Sequence, residues 1–195
     1  MAKISTYATD GTPSLADKVI GTEVDNNNAT KNYTISDILS LGNFAPAAYY
    51  GSFYDTTTQT VTSGSIAPMK CNSIATYLGM SMGDDGILTF DHDGQYNIQF
   101  SAQLYRTSGG SDAVITIWIR QNGIDVSDSA TNITMKANSN YVVAAWNWFV
   151  EGSAGSNIQI MWTHNDNVTI QYEPAGTSPV HPAVPSVIIT ANRVG

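Results

Sequence analysis

The sequence predicts an all-β protein: an antiparallel jelly-roll sandwich over residues 46–195, the head, preceded by an extended arm over residues 1–45 with at most one short helix. Charged residues make up only 12% of the chain, about half of their usual share in a soluble domain. Threonine, serine, asparagine, glycine and aromatic residues fill the gap, which suits strands and tight turns. After residue 46, apolar and polar residues alternate in several short runs, and no helical period interrupts them.

The arm has a composition that does not build a core. Its apolar residues come as isolated pairs, such as Val19-Ile20 and Ile38-Leu39, which are spaced too widely to bury one face. The run Thr34-Ile-Ser-Asp37 predicts a capping box with Thr34 as the N-cap, and Gly42 is the expected C-cap. A helix this short is marginal in isolation. We therefore expect the arm to be disordered unless a partner surface holds it.

The head contains regular strand patterns separated by turn residues. Positions 96, 98, 100, 102 and 104 place apolar side chains on one face of the first run, and the later runs repeat this two-residue period. The predicted strands cover residues 95–104, 113–122, 141–150, 157–162, 168–173 and 187–191. Turn sequences such as Asp91-His-Asp-Gly94 and Asn122-Gly123 lie between them. Six or more short strands with such spacing predict a sandwich or jelly roll.

Charge excludes two classes of partner. The net charge is −8, and the eight basic residues are scattered with no two adjacent. Binding to nucleic acid or to an anionic membrane requires clustered lysine and arginine, so we expect neither partner. No apolar stretch approaches the roughly 20 residues of a spanning helix, and the first residues lack the apolar run of a signal peptide. We expect a protein that is made in a cytoplasm and remains soluble until it assembles.

No set of residues predicts catalysis, a metal site or a cofactor. The sequence Asp91-His92-Asp93-Gly94 resembles part of a calcium loop, but the further ligands are missing, so a plain turn is favoured. His92, His164 and His181 lack zinc-ligand spacing. Cys71 cannot form an intrachain disulfide, since it is the single cysteine, and no pattern places an activating histidine beside it. An enzyme, such as a depolymerase with paired carboxylates, remains the weakest of three hypotheses.

Three runs of the head resemble the trimeric jelly rolls of the C1q and tumour-necrosis-factor superfamily. They are Asp93-Gly-Gln-Tyr-Asn-Ile-Gln-Phe-Ser-Ala, Ala113-Val-Ile-Thr-Ile-Trp-Ile-Arg-Gln-Asn-Gly and Gly155-Ser-Asn-Ile-Gln-Ile-Met-Trp. The last strand, Val187-Ile-Ile-Thr-Ala, departs from the family because it lacks the usual Phe-any-Gly. The resemblance covers about residues 49–194 and implies a homotrimer.

The arm carries a second resemblance. The segment from Leu15-Ala-Asp-Lys-Val-Ile-Gly-Thr-Glu-Val-Asp to Tyr33-Thr-Ile-Ser-Asp-Ile-Leu looks like a leader found on fibre and head-associated proteins of tailed bacteriophages. In those proteins the leader precedes a variable trimeric tip and attaches the tip to the virion. This resemblance spans about residues 10–43. It implies a structural phage protein that is made in the host bacterial cytoplasm and located in the virion.

Together these observations predict a capsid-attached decoration protein or head fibre, with the major capsid protein and further copies of itself as partners. The alternative is a tail fibre or receptor-binding protein that recognises host-surface glycans. The short chain favours the capsid, since a tail fibre usually needs a shaft. The expected virion-docking residues are Leu15, Val19, Ile20, Val24, Tyr33, Ile35, Ile38 and Leu39. The candidate trimer contacts are Tyr49, Tyr50, Phe53, Trp146 and Trp148, for which ordinary burial inside one chain is the alternative. The candidate glycan contacts are Trp162, His164 and Asp166, at an expected loop tip.

Overall fold

The computed structural model describes residues 12–24, 27–41, 48–106, 110–137 and 140–195. Its contacts divide the chain into two compact units, residues 1–46 and 47–195, which correspond to the arm and the head. The described part of the arm contains strand β1 (Lys18–Glu23), strand β2 (Ala29–Thr34) and helix α1 (Ile35–Leu41). The chain is thus mostly β, as predicted.

The two arm strands form an antiparallel hairpin that the sequence did not predict. Six residue pairs join them, from the pair of Lys18 with Thr34 to the pair of Glu23 with Ala29. At the turn, Asn27 and Asn28 adopt φ angles of 50° and 55°, a left-handed conformation that asparagine tolerates better than most residues. Neither strand alternates apolar and polar residues, and for this reason the period-two pattern could not reveal them.

Helix α1 begins with the predicted capping box. The Thr34 hydroxyl accepts a hydrogen bond from the Asp37 N–H at 3.0 Å, and the Asp37 carboxylate accepts one from the Thr34 N–H at 3.0 Å. These bonds stabilise the charged carboxylate and lower the pKa of Asp37. The box satisfies two backbone donors that the first turn would otherwise leave unpaired. The expected C-cap, Gly42, lies outside the described residues.

The head is built from sixteen described strands. They are β3 (Tyr50–Tyr54), β4 (Gln59–Thr60), β5 (Ala67–Pro68), β6 (Ser73–Leu78), β7 (Met80–Met82), β8 (Leu88–Phe90), β9 (Gly94–Arg106), β10 (Ala113–Gln121), β11 (Ile124–Asp125), β12 (Thr131–Met135), β13 (Tyr141–Gly152), β14 (Asn157–His164), β15 (Val168–Ile170), β16 (Gly176–Thr177), β17 (Val180–His181) and β18 (Val187–Arg193). All of their pairings are antiparallel. Strands β16 and β17 form a separate hairpin.

The other strands form two seven-stranded sheets. Sheet one has the order β11-β10-β14-β8-β7, with β12 also paired to β10 and β5 to β14. Sheet two has the order β4-β15-β9-β18-β3-β6, with β13 also paired to β9. Each sheet mixes strands from distant parts of the chain, so the connections cross between the sheets. This arrangement is a jelly-roll sandwich.

The core follows the alternation that the sequence predicted. In β9, the side chains of Tyr96, Ile98, Ala102 and Leu104 are fully buried, and Phe100 is nearly so. Inward residues of both sheets form one continuous apolar cluster. Burial of each large apolar side chain contributes about 1.5–3 kcal/mol to stability, so the head holds its shape without a disulfide.

Candidate functional site

The arm exposes most of its apolar side chains. Six of the eight predicted docking residues are exposed: Leu15, Val19, Ile20, Val24, Ile38 and Leu39. The other two, Tyr33 and Ile35, are half-buried. None of the described arm residues belongs to the buried apolar cluster. A hairpin and a short helix have little stability without such a core, so the arm presents an apolar surface that a partner could cover.

One contact shapes the exposed hairpin. The Tyr33 ring lies over Gly21 on the neighbouring strand, so closely that an added Cβ at Gly21 would sit 3.1 Å from the ring. At the start of the helix, the Ile35 N–H donates to the Asp17 carbonyl oxygen at 2.8 Å, and the Ser36 N–H donates to the Leu15 carbonyl oxygen at 3.1 Å. These bonds tie the segment before β1 to the helix and fix Leu15 beside it.

The second exposed surface is the outward side of sheet two, called here the outer face. It can be read from the register, because directly opposite residues of antiparallel strands lie on the same side of a sheet. One row across β13, β9, β18, β3 and β6 consists of Phe149, Asn97, Asn192, Tyr50 and Leu78. The next row consists of Asn147, Gln99, Thr190, Ser52 and Thr76. A third row contains Ala145, Ser101, Ile188 and Tyr54.

The outer face is almost free of charge. Strands β3, β6, β9, β13 and β18 contain only three charged residues, Arg106, Glu151 and Arg193, each in the last two positions of its strand. The sheet edge at β13 displays Tyr141, Val143 and Phe149, whose exposed fractions are 57%, 58% and 62%. Soluble proteins usually protect a long apolar edge with charges, because it would otherwise pair with another chain. The outer face therefore has the composition of a surface that is covered in an assembly.

The predicted trimer contacts fall in different places. Tyr50 lies on the outer face and is exposed, whereas Phe53 is completely buried in the protomer. The prediction of Phe53 as a contact between copies is therefore wrong, since its ring has no surface left to offer. Trp146 and Trp148 pair with Phe100 and Ile98, which places both indoles on the inward side of sheet two.

These two tryptophans pack with Phe100 into an aromatic cluster. The Phe100 ring lies edge-on to the Trp146 ring at 4.7 Å and stacks on Trp148 at 5.3 Å. The Trp148 indole N–H also donates to the Ser129 carbonyl oxygen at 3.1 Å. Tyr49 is half-buried and stacks on His92 with ring centroids 3.9 Å apart. The two indoles and Tyr49 therefore act first as core-packing residues, which was the alternative prediction.

Sequence reasoning missed most of the outer face. Leu78, Tyr141, Val143, Phe149 and Ile188 were not among its candidates, yet all are exposed there. A signal was present, because the run from residue 141 to residue 150 carries bulky apolar residues at both odd and even positions. An ordinary surface strand is apolar at one parity only, so this strand must be covered on both sides or remain sticky.

The predicted glycan contacts do not form a loop tip. Trp162 and His164 continue strand β14 and are buried, with 1% and 4% of their surface exposed, so neither ring can stack on a sugar. Asp166 lies in the turn to β15, where its carboxylate forms an ion pair with the buried Arg106 guanidinium. The prediction was wrong because polar residue types suggested a loop, whereas the His164 ring nitrogen Nε2 is bonded to the Val61 carbonyl oxygen at 3.0 Å.

The remaining chemical candidates have structural partners. The Asp93 carboxylate accepts the Ala154 N–H at 2.7 Å, and the Tyr96 hydroxyl donates to the His92 carbonyl oxygen at 2.7 Å; both fix the turn between β8 and β9. Cys71 is buried, and desolvation followed by the nearby Asp55 charge raises its pKa to about 12. A thiol in that environment stays protonated and is a poor nucleophile.

No protein-family model matches the chain, and the search of curated proteins finds no relative at the threshold used. Within the described residues, no helix is long and apolar enough to cross a membrane.

Proposed function

We propose that this chain is a structural component of a bacteriophage particle. In this proposal the arm attaches the protein to the capsid, and the head projects from the capsid as a trimer. The protein would thus be a decoration protein or head fibre, and its partners would be the major capsid protein and two further copies of itself. The observation that carries the assembly role is the charge-free, aromatic outer face.

The outer face supports assembly because solvent alone is a poor partner for it. Apolar rows flank a row of neutral polar side chains, and Asn147 donates to Asn97 within the face at 2.9 Å. Such a mixture resembles the core of a permanent interface, which is depleted in charge and enriched in aromatic residues. A threefold arrangement would also cover the β13 edge, which is the strand most prone to pair with another chain.

The arm supports attachment to a larger particle. Its sequence resembles a phage leader, and its apolar side chains are exposed where the resemblance places the docking segment. A hairpin with such side chains would gain stability by packing on a partner. We favour the capsid over the tail because two of the three predicted glycan contacts are buried and because a shaft-like repeat is missing from the sequence.

The experiment that tests attachment compares the full chain with a variant limited to residues 46–195, mixed with particles that lack the protein. The full chain should co-sediment with the particles, and the variant should remain in the supernatant while keeping its oligomeric state. A point variant gives a finer test: Ile20→Asp places a charge on the exposed hairpin, whereas Ile124→Asp changes an equally exposed residue of the head.

The proposal requires that Ile20→Asp abolish co-sedimentation and that Ile124→Asp leave it unchanged. If both variants bind as the full chain does, the arm is not the attachment segment. If residues 46–195 yield an unfolded monomer, the division of labour between arm and head is wrong.

A further inference from the structure

A cavity of about 360 Å³ opens between the two sheets of the head at the end that carries β4 and β5. Its wall includes the segment from Asp55 to Thr60, the segment from Ile66 to Pro68, and the side chains of Lys70 and Trp162. The volume falls within the range of small-molecule sites. The outer face and the arm do not contribute to it, so any ligand here would be separate from the proposed assembly surfaces.

The walls of the cavity are held in place before any ligand arrives. The Gln59 amide nitrogen donates to the Lys70 carbonyl oxygen at 2.8 Å, and the Lys70 N–H donates back to the Gln59 side-chain oxygen at 2.9 Å. Ala67 and Pro68 pair with strand β14. The Tyr172 N–H donates to the Thr58 hydroxyl oxygen at 3.2 Å. A site that is already ordered loses little entropy when it binds.

Two buried polar groups of the wall have unused hydrogen-bonding capacity. The Trp162 indole N–H is fully enclosed and has no acceptor among the described residues. Asp55 is 2% exposed; one of its carboxylate oxygens accepts two bonds from Thr57 at 2.6 Å each, and the other accepts only the Gln59 amide at 3.1 Å. A carboxylate can accept about four hydrogen bonds. Enclosed donors without acceptors are rare in folded proteins and call for an explanation.

The chemistry of these two groups selects the class of ligand. An indole N–H can only donate and a carboxylate can only accept, so one ligand must offer both an acceptor and a donor. An anion would be repelled by Asp55, and an ammonium ion would leave Trp162 without an acceptor. A hydroxyl group serves both. The walls at Ala67 and Pro68 offer apolar contact for the C–H face of a ring.

We propose that this cavity binds a neutral polyhydroxylated molecule the size of one sugar ring, with Trp162 and Asp55 as its buried hydrogen-bonding partners. This role differs from the exposed stacking contact that the sequence suggested for Trp162. The proposal does not rest on the virion assignment, because none of its residues belongs to the arm or to the outer face. Its failure would leave the proposed function standing.

The test uses the full chain labelled with ¹⁵N, in which the four tryptophans give separate indole N–H signals; Trp162→Phe assigns the relevant one. Glucose, galactose and N-acetylglucosamine serve as neutral probes, with glucuronate and glucosamine as charged ones. At least one neutral sugar should shift the Trp162 signal in a saturable manner, with a Kd on the order of 1 mM, as is usual for so small a ligand. Saturation-transfer difference spectra then measure affinity in the variants.

Four variants distinguish the outcomes. Ala67→Phe fills the cavity from the strand beside Trp162 and should abolish binding. Trp162→Phe keeps the ring shape but removes the donor, and should weaken binding about tenfold, the equivalent of one hydrogen bond. Trp148→Phe is the matched control, because it removes a distant indole N–H, and it should bind as the full chain does. Lys70→Met should also bind normally, since a neutral ligand does not need the ammonium group.

Three results would overturn the proposal. The first is the absence of a saturable Trp162 shift with every neutral sugar while the protein remains folded. The second is binding of glucuronate alone that Lys70→Met abolishes, which would indicate an anion site. The third is equal weakening by Trp162→Phe and Trp148→Phe, which would mean that the indole N–H of the cavity has no special part.

Discussion

Replacement of Phe149 by serine tests whether the outer face joins copies of the chain. Phe149 is 62% exposed in the protomer, and a phenylalanine side chain has roughly 200 Å² of surface. About 120 Å² is therefore available for burial, which at about 25 cal/mol per Å² is worth about 3 kcal/mol per copy. A trimer buries three copies of this residue, so Phe149→Ser should cost about 9 kcal/mol of assembly free energy. The midpoint concentration for dissociation should then rise roughly a thousandfold.

Sedimentation equilibrium over a series of protein concentrations measures this shift directly. Ile124→Ser is the matched control, because Ile124 is 74% exposed but lies on the short strand β11 of the other sheet. Phe149→Ser should dissociate at far higher concentrations than the unchanged chain, and Ile124→Ser should not. Neither change should lower the stability of the isolated protomer by much, since both side chains are exposed in it. The reasoning is refuted if the unchanged chain is a monomer throughout, or if the two variants dissociate alike.

Further predictions concern individual residues. Burial holds the pKa of Cys71 at about 12, so at pH 9 its thiol should resist iodoacetamide in the folded protein and react promptly in denaturant; fast labelling of the folded chain would contradict the assigned burial. Thr34→Ala removes the hydrogen bonds that lower the pKa of Asp37; its pKa in an NMR titration should rise towards the usual value, and an unchanged titration would mean that the capping box does not form in solution. The box is fully present above the unfolded-state pKa of Asp37 and is lost as the pH falls through its lowered folded-state pKa. Asp166→Asn leaves the Arg106 guanidinium buried without its counter-charge, which should cost about 3–5 kcal/mol in denaturant unfolding; a loss below about 1 kcal/mol would show that the pair is dispensable.

The fold was largely predictable because its strands obey one simple rule. In β9, every second side chain from Tyr96 to Leu104 enters the core, and the turn at Asn122-Gly123 uses two positive φ angles, as an Asn-Gly pair favours. The arm hairpin was not predictable in this way. Its strands have no apolar face, and their pairing depends on the turn at Asn27 and Asn28, whose asparagine run suggested only a loop.

The candidate surfaces were predictable in part. Exposure of the arm side chains followed from their wide spacing, since isolated apolar pairs cannot form a core. The outer face was missed because the inward parity of β13 drew attention to Trp146 and Trp148, while Phe149 and Val143 occupy the other parity. Trp162 was misplaced for a related reason: the polar residues after it resembled a loop, although they continue strand β14. Whether a polar side chain is satisfied inside the fold cannot be read from sequence alone.

The most direct test of the proposed function is to locate the chain in intact virions by cryo-electron microscopy. The account predicts threefold-symmetric knobs on the capsid surface, each with the dimensions of three heads, joined to the capsid by density for the arms. Density confined to the tail or its fibres would contradict the capsid assignment and favour receptor binding. Absence of the chain from purified particles would contradict the structural role itself.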